Sequence, residues 1–191
     1  MQQDQTRIFL PGFGARASSY EKGLPPGWLA LQPPPLSVTG GHLDALVDWL
    51  AGELDRRGGP ALLAGHSMGA ALAILAAARN PTSTSGLILI APAGLPLTKP
   101  VRASAADLVR QLGTGAHRIR DTANAAAELT AAPRSTVRLI RALRRLDLHD
   151  EMTRIRQAEI QARVNHRPTQ DDLRDHRTGN GLMRIIRLGR R

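Results

Sequence analysis

The sequence predicts an α/β fold built on a parallel sheet, and three observations carry that expectation. Through residues 1–95, short apolar runs alternate with helical patterns, as they do in chains that cross over between parallel strands. Some runs, such as Leu87-Ile88-Leu89-Ile90, are apolar throughout, which suits strands covered on both faces. The chain has 191 residues, 42% of them hydrophobic, which is enough for one domain with a genuine core. Only 3% are aromatic, so that core must be built from Leu, Ala, Ile and Val.

In chain order, Arg7-Ile8-Phe9-Leu10 reads as a strand that stops at Pro11-Gly12, and 17–22 as a short helix or turn. Trp28-Leu29-Ala30-Leu31 is a second strand, ended by Pro33-Pro34-Pro35. From Leu43 to Leu54 the apolar stripe Leu43, Leu46, Val47, Leu50 and Leu54 marks an amphipathic helix, which Gly58-Gly59-Pro60 breaks. Ala61-Leu62-Leu63-Ala64 is a third strand, Ala70 to Ala78 a small-residue helix, and Leu87 to Ile90 a fourth strand. From about Ala103 to Leu146 the pattern is helical, punctuated by Gly113, Gly115 and Pro133. Beyond Ile155 the patterns weaken; 160–164 reads as a possible strand, 165–181 is polar, and 182–188 reads as a final strand or helix.

Charge divides the chain. Residues 1–95 carry six basic and six acidic side chains, whereas 96–191 carry twenty basic and ten acidic, which accounts for the net charge of +10. A basic half attracts nucleic acid, anionic lipid or an acidic protein, or is a solvated helical surface. Nucleic-acid binding is disfavoured, because residues 134–191 hold fifteen arginines and no aromatic side chain on which a base would stack. With no cysteine, disulfides and thiolate metal sites are excluded, and no histidine pair has helical ligand spacing with a carboxylate. No cofactor is expected. The polar start Met1-Gln2-Gln3-Asp4-Gln5 lacks the apolar run of a signal peptide, and no segment approaches the roughly 20 apolar residues of a membrane span. A cytoplasmic protein is the expectation.

The chemistry is carried by Gly65-His66-Ser67-Met68-Gly69, a Gly-x-Ser-x-Gly motif set directly between an apolar strand and an alanine-rich helix. There a serine occupies a sharp strand-to-helix turn. Gly65 and Gly69, without β-carbons, let strand and helix approach closely, and the small side chains of Ala70, Ala71 and Ala73 let the helix pack beneath. The helix N-terminus then offers partial positive charge to a developing oxyanion. Pro11-Gly12-Phe13-Gly14 follows the first strand and is glycine-rich, so the amides of Phe13 and Met68 are the expected oxyanion donors. His66, next to the serine in sequence, points elsewhere in such a turn and is structural.

With its Gly-His-Ser-Met-Gly elbow, the stretch from Ile8 to Leu95 resembles the N-terminal half of the α/β-hydrolase superfamily, in particular its compact esterase, lipase-like and thioesterase members. Arg79-Asn80-Pro81 leading to 87–94 matches the strand and loop that follow the nucleophile helix there, and the helical run from about Pro96 to Leu146 resembles the cap inserted after that strand. The resemblance implies a hydrolase core over 1–95, a helical cap over 96–150 and a divergent or truncated closing segment over 151–191, with closing strands short or missing. It further implies Ser67 as nucleophile and a small-molecule acyl ester or thioester as substrate.

The family also needs an acid after the next strand and a histidine after the last. Asp171 and Asp172 are the candidates for the acid. No histidine falls in the family's place: His176 is close to the aspartates, His117 and His149 lie in or beside the cap stretch, and His166 precedes the acid. An unassisted hydroxyl is a poor nucleophile at neutral pH. Three readings stay open: a truncated or frame-shifted hydrolase, a binding protein that keeps the fold, and an enzyme with a rearranged triad.

Overall fold

The computed structural model describes residues 5–94, 116–155 and 183–187. Four parallel strands form the body of a five-stranded sheet: β1 (Arg7–Leu10), β2 (Trp28–Ala30), β3 (Ala61–His66) and β4 (Thr84–Ile90), in the order β2-β1-β3-β4. A fifth strand, β5 (Met183–Arg187), closes the order beside β4 and runs antiparallel to it, Ile88 opposite Ile185. The register of the parallel part aligns Leu10 with Gly65 and His66 with Ile90, so β1, β3 and β4 deliver their carboxyl ends to one edge.

The helices follow from the connections. Between β1 and β2 lies the single turn α1 (Ser18–Glu21). The chain then passes through α2 (Leu36–Thr39) and α3 (Leu43–Arg57) to reach β3, skipping over β1, and α4 (Met68–Arg79) joins β3 to β4 by way of a 3₁₀ turn at Pro81–Ser83. Both long crossovers run the same way across the sheet, so right-handed connections put α3 and α4 on one face, where they pack against each other. Of the stripe expected on α3, Leu46, Val47, Leu50 and Leu54 are buried and Leu43, in the first turn, is half-buried against the core, while Asp44 and Asp48 face water. Arg79, at the end of α4, pairs with both aspartates and ties the two helices together.

α4 differs from α3 in being buried along most of its length, from Met68 to Ala77. Its alanines let it lie close to β3, and Leu72 and Ile74 join Ile8, Leu10, Leu63, Leu87 and Leu89 in the centre of the core. The small-residue composition is therefore a packing requirement, since larger side chains would hold the helix off the sheet.

Two further helices, α5 (Ala116–Ala131) and α6 (Pro133–Arg145), follow one another through Ala132 and pack against each other. Pro133 starts α6 at the position where a missing N–H costs nothing. Helical backbone resumes over 149–155, where the sequence pattern indicated nothing; the Asp147 carboxylate accepts the His149 amide N–H at 2.9 Å, and Leu148, Met152 and Ile155 are buried in the same core as β1 and β4. The helix α2 has no signal in the sequence: three consecutive prolines suggest extended chain, yet Pro35 stands as the residue that starts the turn. The possible strand at 160–164 lies outside the described residues.

Candidate active site at the turn between β3 and α4

β1 and β3 are neighbours, but the connection leaving β1 goes toward β2 and the one leaving β3 goes toward β4. The crevice beyond the carboxyl ends of these two strands is the switch point of the sheet, where open α/β folds bind their ligands. Ser67 stands there, directly after β3 and directly before α4.

Its backbone is in a strained region, with φ 52° and ψ −113°, a conformation that glycine favours and that a residue with a β-carbon adopts only when its surroundings enforce it. The enforcement is visible. The Ser67 N–H donates to the Ile90 carbonyl at 3.0 Å, and the Ser67 carbonyl accepts the N–H groups of Ala71 at 3.2 Å and Ala93 at 3.1 Å. The turn is thus clamped to the end of β4, to α4 and to the loop after β4. The side chain makes no capping bond to its own helix and is half-buried.

The flanking glycines are used as the sequence predicts. A β-carbon at Gly65 would sit 2.5 Å from the Ala70 nitrogen, and one at Gly69 would sit 2.6 Å from the Leu10 carbonyl carbon and the Pro11 oxygen. All of these are backbone atoms that cannot swing aside. α4 therefore crosses both β3 and the end of β1 at a distance that only glycine permits.

The Pro11–Gly14 loop comes to the same place. A β-carbon built on Gly12 would lie 3.4 Å from the Ser67 β-carbon and 3.0 Å from His66 Nδ1. The next residue, Phe13, is half-buried and packs its ring on the core. Met68, whose side chain is buried, opens α4, so its amide is one of the donors a helix start leaves without an intrahelical acceptor. Neither the Phe13 nor the Met68 N–H enters a loop or turn backbone bond among the described residues. His66 ends β3 with its ring against Gly12, on the side of the loop rather than in line with the helix axis.

The α5–α6 pair stands over this edge. Ala125 of α5 lies against Gly14, and Leu146, just past α6, lies against Gly94; the Leu148 N–H donates to the Gly94 carbonyl at 3.1 Å. One feature of the site carried no sequence signal. Ala91, the first residue after β4, has φ 43°, a second strained non-glycine position in the loop that holds the Ser67 carbonyl.

Asp171, Asp172, His166 and His176 lie outside the described residues, and of His117 only the backbone, on α5, is described. His149 is exposed at the start of the helical turn over 149–155. His42, which no motif marks, begins α3 with its Nε2 2.9 Å from an Arg138 guanidinium nitrogen. Among the described residues, no helix is long and apolar enough to cross a membrane.

Comparison with known proteins agrees with this architecture. A stretch of 45 residues is 58% identical to monoglyceride lipase of Rattus norvegicus, covering 24% of this chain and 14% of the lipase. Among solved structures, a membrane phospholipase A described as a bacterial virulence factor superposes with a TM-score of 0.57 at 20% identity, covering 81% of this chain and 61% of that one. A thermophilic esterase superposes with a TM-score of 0.58 at 18% identity, covering 78% of this chain and 64% of the esterase. The chain therefore spans less than two thirds of the length of each of these relatives. The model of one family, described as the alpha/beta hydrolase family, matches residues 8–188, nearly the whole sequence, and the chain belongs to that family.

Proposed function

We propose that the protein is a serine hydrolase that cleaves carboxylic ester or thioester bonds through Ser67. The observation that carries the reading is the strained, triply hydrogen-bonded backbone of Ser67 at the switch point of the sheet. Strain of this kind is retained where the surrounding fold over-determines it, which is the pattern of a functional residue.

In this reading the Ser67 hydroxyl attacks the carbonyl carbon while its proton passes to an imidazole. The negative charge that forms on the carbonyl oxygen is held by the amides of Phe13 and Met68, helped by the positive end of α4. Collapse of the intermediate expels the alcohol or thiol, which takes the proton from the imidazole, and water then releases the acid by the reverse sequence. Asp171 or Asp172 orients the imidazole, whose residue is one of the histidines at 117, 149, 166 and 176. Residues 1–95 form the catalytic core, 96–150 a cap over the Ser67 edge, and 151–191 a divergent closing segment. The short match to a lipase favours a hydrophobic acyl group.

Turnover of a short-chain p-nitrophenyl ester tests this. Ser67→Ala should lower kcat by about three orders of magnitude or more, with KM little changed, as loss of a nucleophile does. Equal turnover by the wild type and Ser67→Ala removes Ser67 from the reaction.

A further inference from the structure

α6 has two unlike faces. Inward, Leu139 and Thr136 are fully buried, and Leu143 packs on the core. Outward stand five arginines and no acidic residue within the helix. Arg134, Arg138, Arg141 and Arg145 recur at spacings of three and four, so they share one stripe. They border an open groove of about 670 Å³ whose other walls, Pro133, Val137 and Ala142, are apolar. Val137 and Ile140 are each 40% exposed among these charges.

The ion pairs found among the described residues lie on α3 and α4, and none involves α6. Of the five arginines, Arg138 is engaged with its neighbours, donating to the Gly40 carbonyl at 2.7 Å and lying beside His42. The remaining guanidiniums face solvent. A guanidinium is shaped to grip phosphate oxygens in pairs. Exposed Val137 and Ile140 would stay in water against a nucleic-acid backbone, but at a bilayer surface they are buried while the arginines meet the headgroups. The absence of aromatic side chains from residues 134–191 points the same way, since single-stranded nucleic acid is held by stacking.

We infer that the outer face of α6 docks on an anionic lipid surface, with its arginines on lipid phosphates and Val137 and Ile140 at the interface. The placement has a consequence for the site. Leu146 follows α6 and lies against Gly94, next to Ala93, whose N–H holds the Ser67 carbonyl. Docking through α6 therefore brings the lipid surface alongside the edge of the sheet that carries Ser67.

Sedimentation of the full chain with vesicles tests the inference. Binding should be measurable to phosphatidylcholine vesicles containing about 30% phosphatidylserine and negligible to phosphatidylcholine alone, and should fall steeply with salt. The double variant Arg134→Gln/Arg141→Gln should bind roughly 30-fold more weakly, since each surface arginine contributes about fivefold. Arg16→Gln/Lys22→Gln removes the same charge from another exposed segment and should leave binding within about twofold of wild type. Val137→Ser/Ile140→Ser should weaken binding several-fold at unchanged charge. Circular dichroism establishes that each variant is folded. Equal binding by Arg134→Gln/Arg141→Gln and wild type overturns the inference, as does an equal loss in Arg16→Gln/Lys22→Gln. Tighter binding to single-stranded RNA than to the vesicles, insensitive to Val137→Ser/Ile140→Ser, overturns it in favour of nucleic acid.

Discussion

At the scale of single residues, the cost of the site is concentrated at Ser67. A residue with a β-carbon at φ 52° and ψ −113° carries about 1–3 kcal/mol of backbone strain. Replacing it by alanine removes the hydroxyl and leaves the strain, whereas glycine removes both. Ser67→Gly should therefore be more stable than Ser67→Ala by about 1 kcal/mol, although glycine loses more chain entropy on folding. Urea denaturation of the two variants measures the difference, and equal midpoints would mean that the backbone at position 67 is relaxed. Gly65→Ala makes the complementary test. Its β-carbon meets the backbone of Gly69 and Ala70, so a loss of about 1–3 kcal/mol is expected, together with a displaced Ser67.

The Gly-x-Ser-x-Gly spacing made this corner legible before any coordinates, because two missing β-carbons three-dimensionally explain one close crossing of strand and helix. Ala91 was not legible. Its positive φ comes from the clamp between β4 and the Ser67 carbonyl, a tertiary constraint with no signature in an alanine. Nor was the His42–Arg138 contact, which joins residues 96 positions apart.

At the scale of elements, α6 is held by a few specific contacts. Leu139 is fully buried, so Leu139→Ala should cost about 2–5 kcal/mol. Gly41 meets the start of α6 so closely that an added β-carbon would overlap the Ser135 carbonyl, 2.6 Å from its carbon, and it also has φ +71°. Gly58 has a similar φ, +68°, with nothing within 4 Å of the same position. Both alanine variants carry the strain of a left-handed residue, but only Gly41→Ala adds the collision. Gly41→Ala should thus lose about 1–3 kcal/mol more than Gly58→Ala. Thermal denaturation of the pair separates close packing from conformational freedom, and equal losses would show that α6 yields without cost.

The α3 stripe and the Pro133 break were readable from periodicity and from proline chemistry. The helical stretch over 149–155 was not, because Leu148, Met152 and Ile155 are too few apolar positions to establish a period. Its burial of Leu148, Met152 and Ile155 depends on where β1 and β4 lie in space. α3 also carries the clearest titration. Hydrogen bonds from Arg57 and then Arg56 hold the Glu53 carboxyl below the usual carboxylate range. Folding thus favours the ionised form, and this contribution is present above about pH 4.3 and lost as pH falls through the lowered value. The pairs lie at the surface, so the contribution is at most about 1 kcal/mol. Glu53→Gln should erase that slice of acid sensitivity in a pH series of urea midpoints, while an unchanged series would leave the pairs without effect on stability.

At the scale of the whole molecule, the order β2-β1-β3-β4 places a switch point between β1 and β3. The loop 11–14 after β1 and the turn at Ser67 after β3 come together because their strands are neighbours in register. The alternation of apolar runs and helices made the parallel sheet readable in advance. Strand order was not, since it depends on which crossover passes over β1. The weak pattern over 182–188 left strand and helix open, and β5 resolves it as an antiparallel edge strand, paired to β4 over five residue pairs. Asp171 and Asp172 stay as expectations from family resemblance, since polar sequence without periodicity gives no element on which to position them.

If Ser67 is the nucleophile we propose, its hydroxyl reacts where other serines of the chain do not. The direct measurement is covalent labelling by a fluorophosphonate, with the modified residue located by peptide mass spectrometry. A single adduct on Ser67 is expected at neutral pH, lost in Ser67→Ala. An unlabelled protein, or an adduct on a different serine, would contradict it.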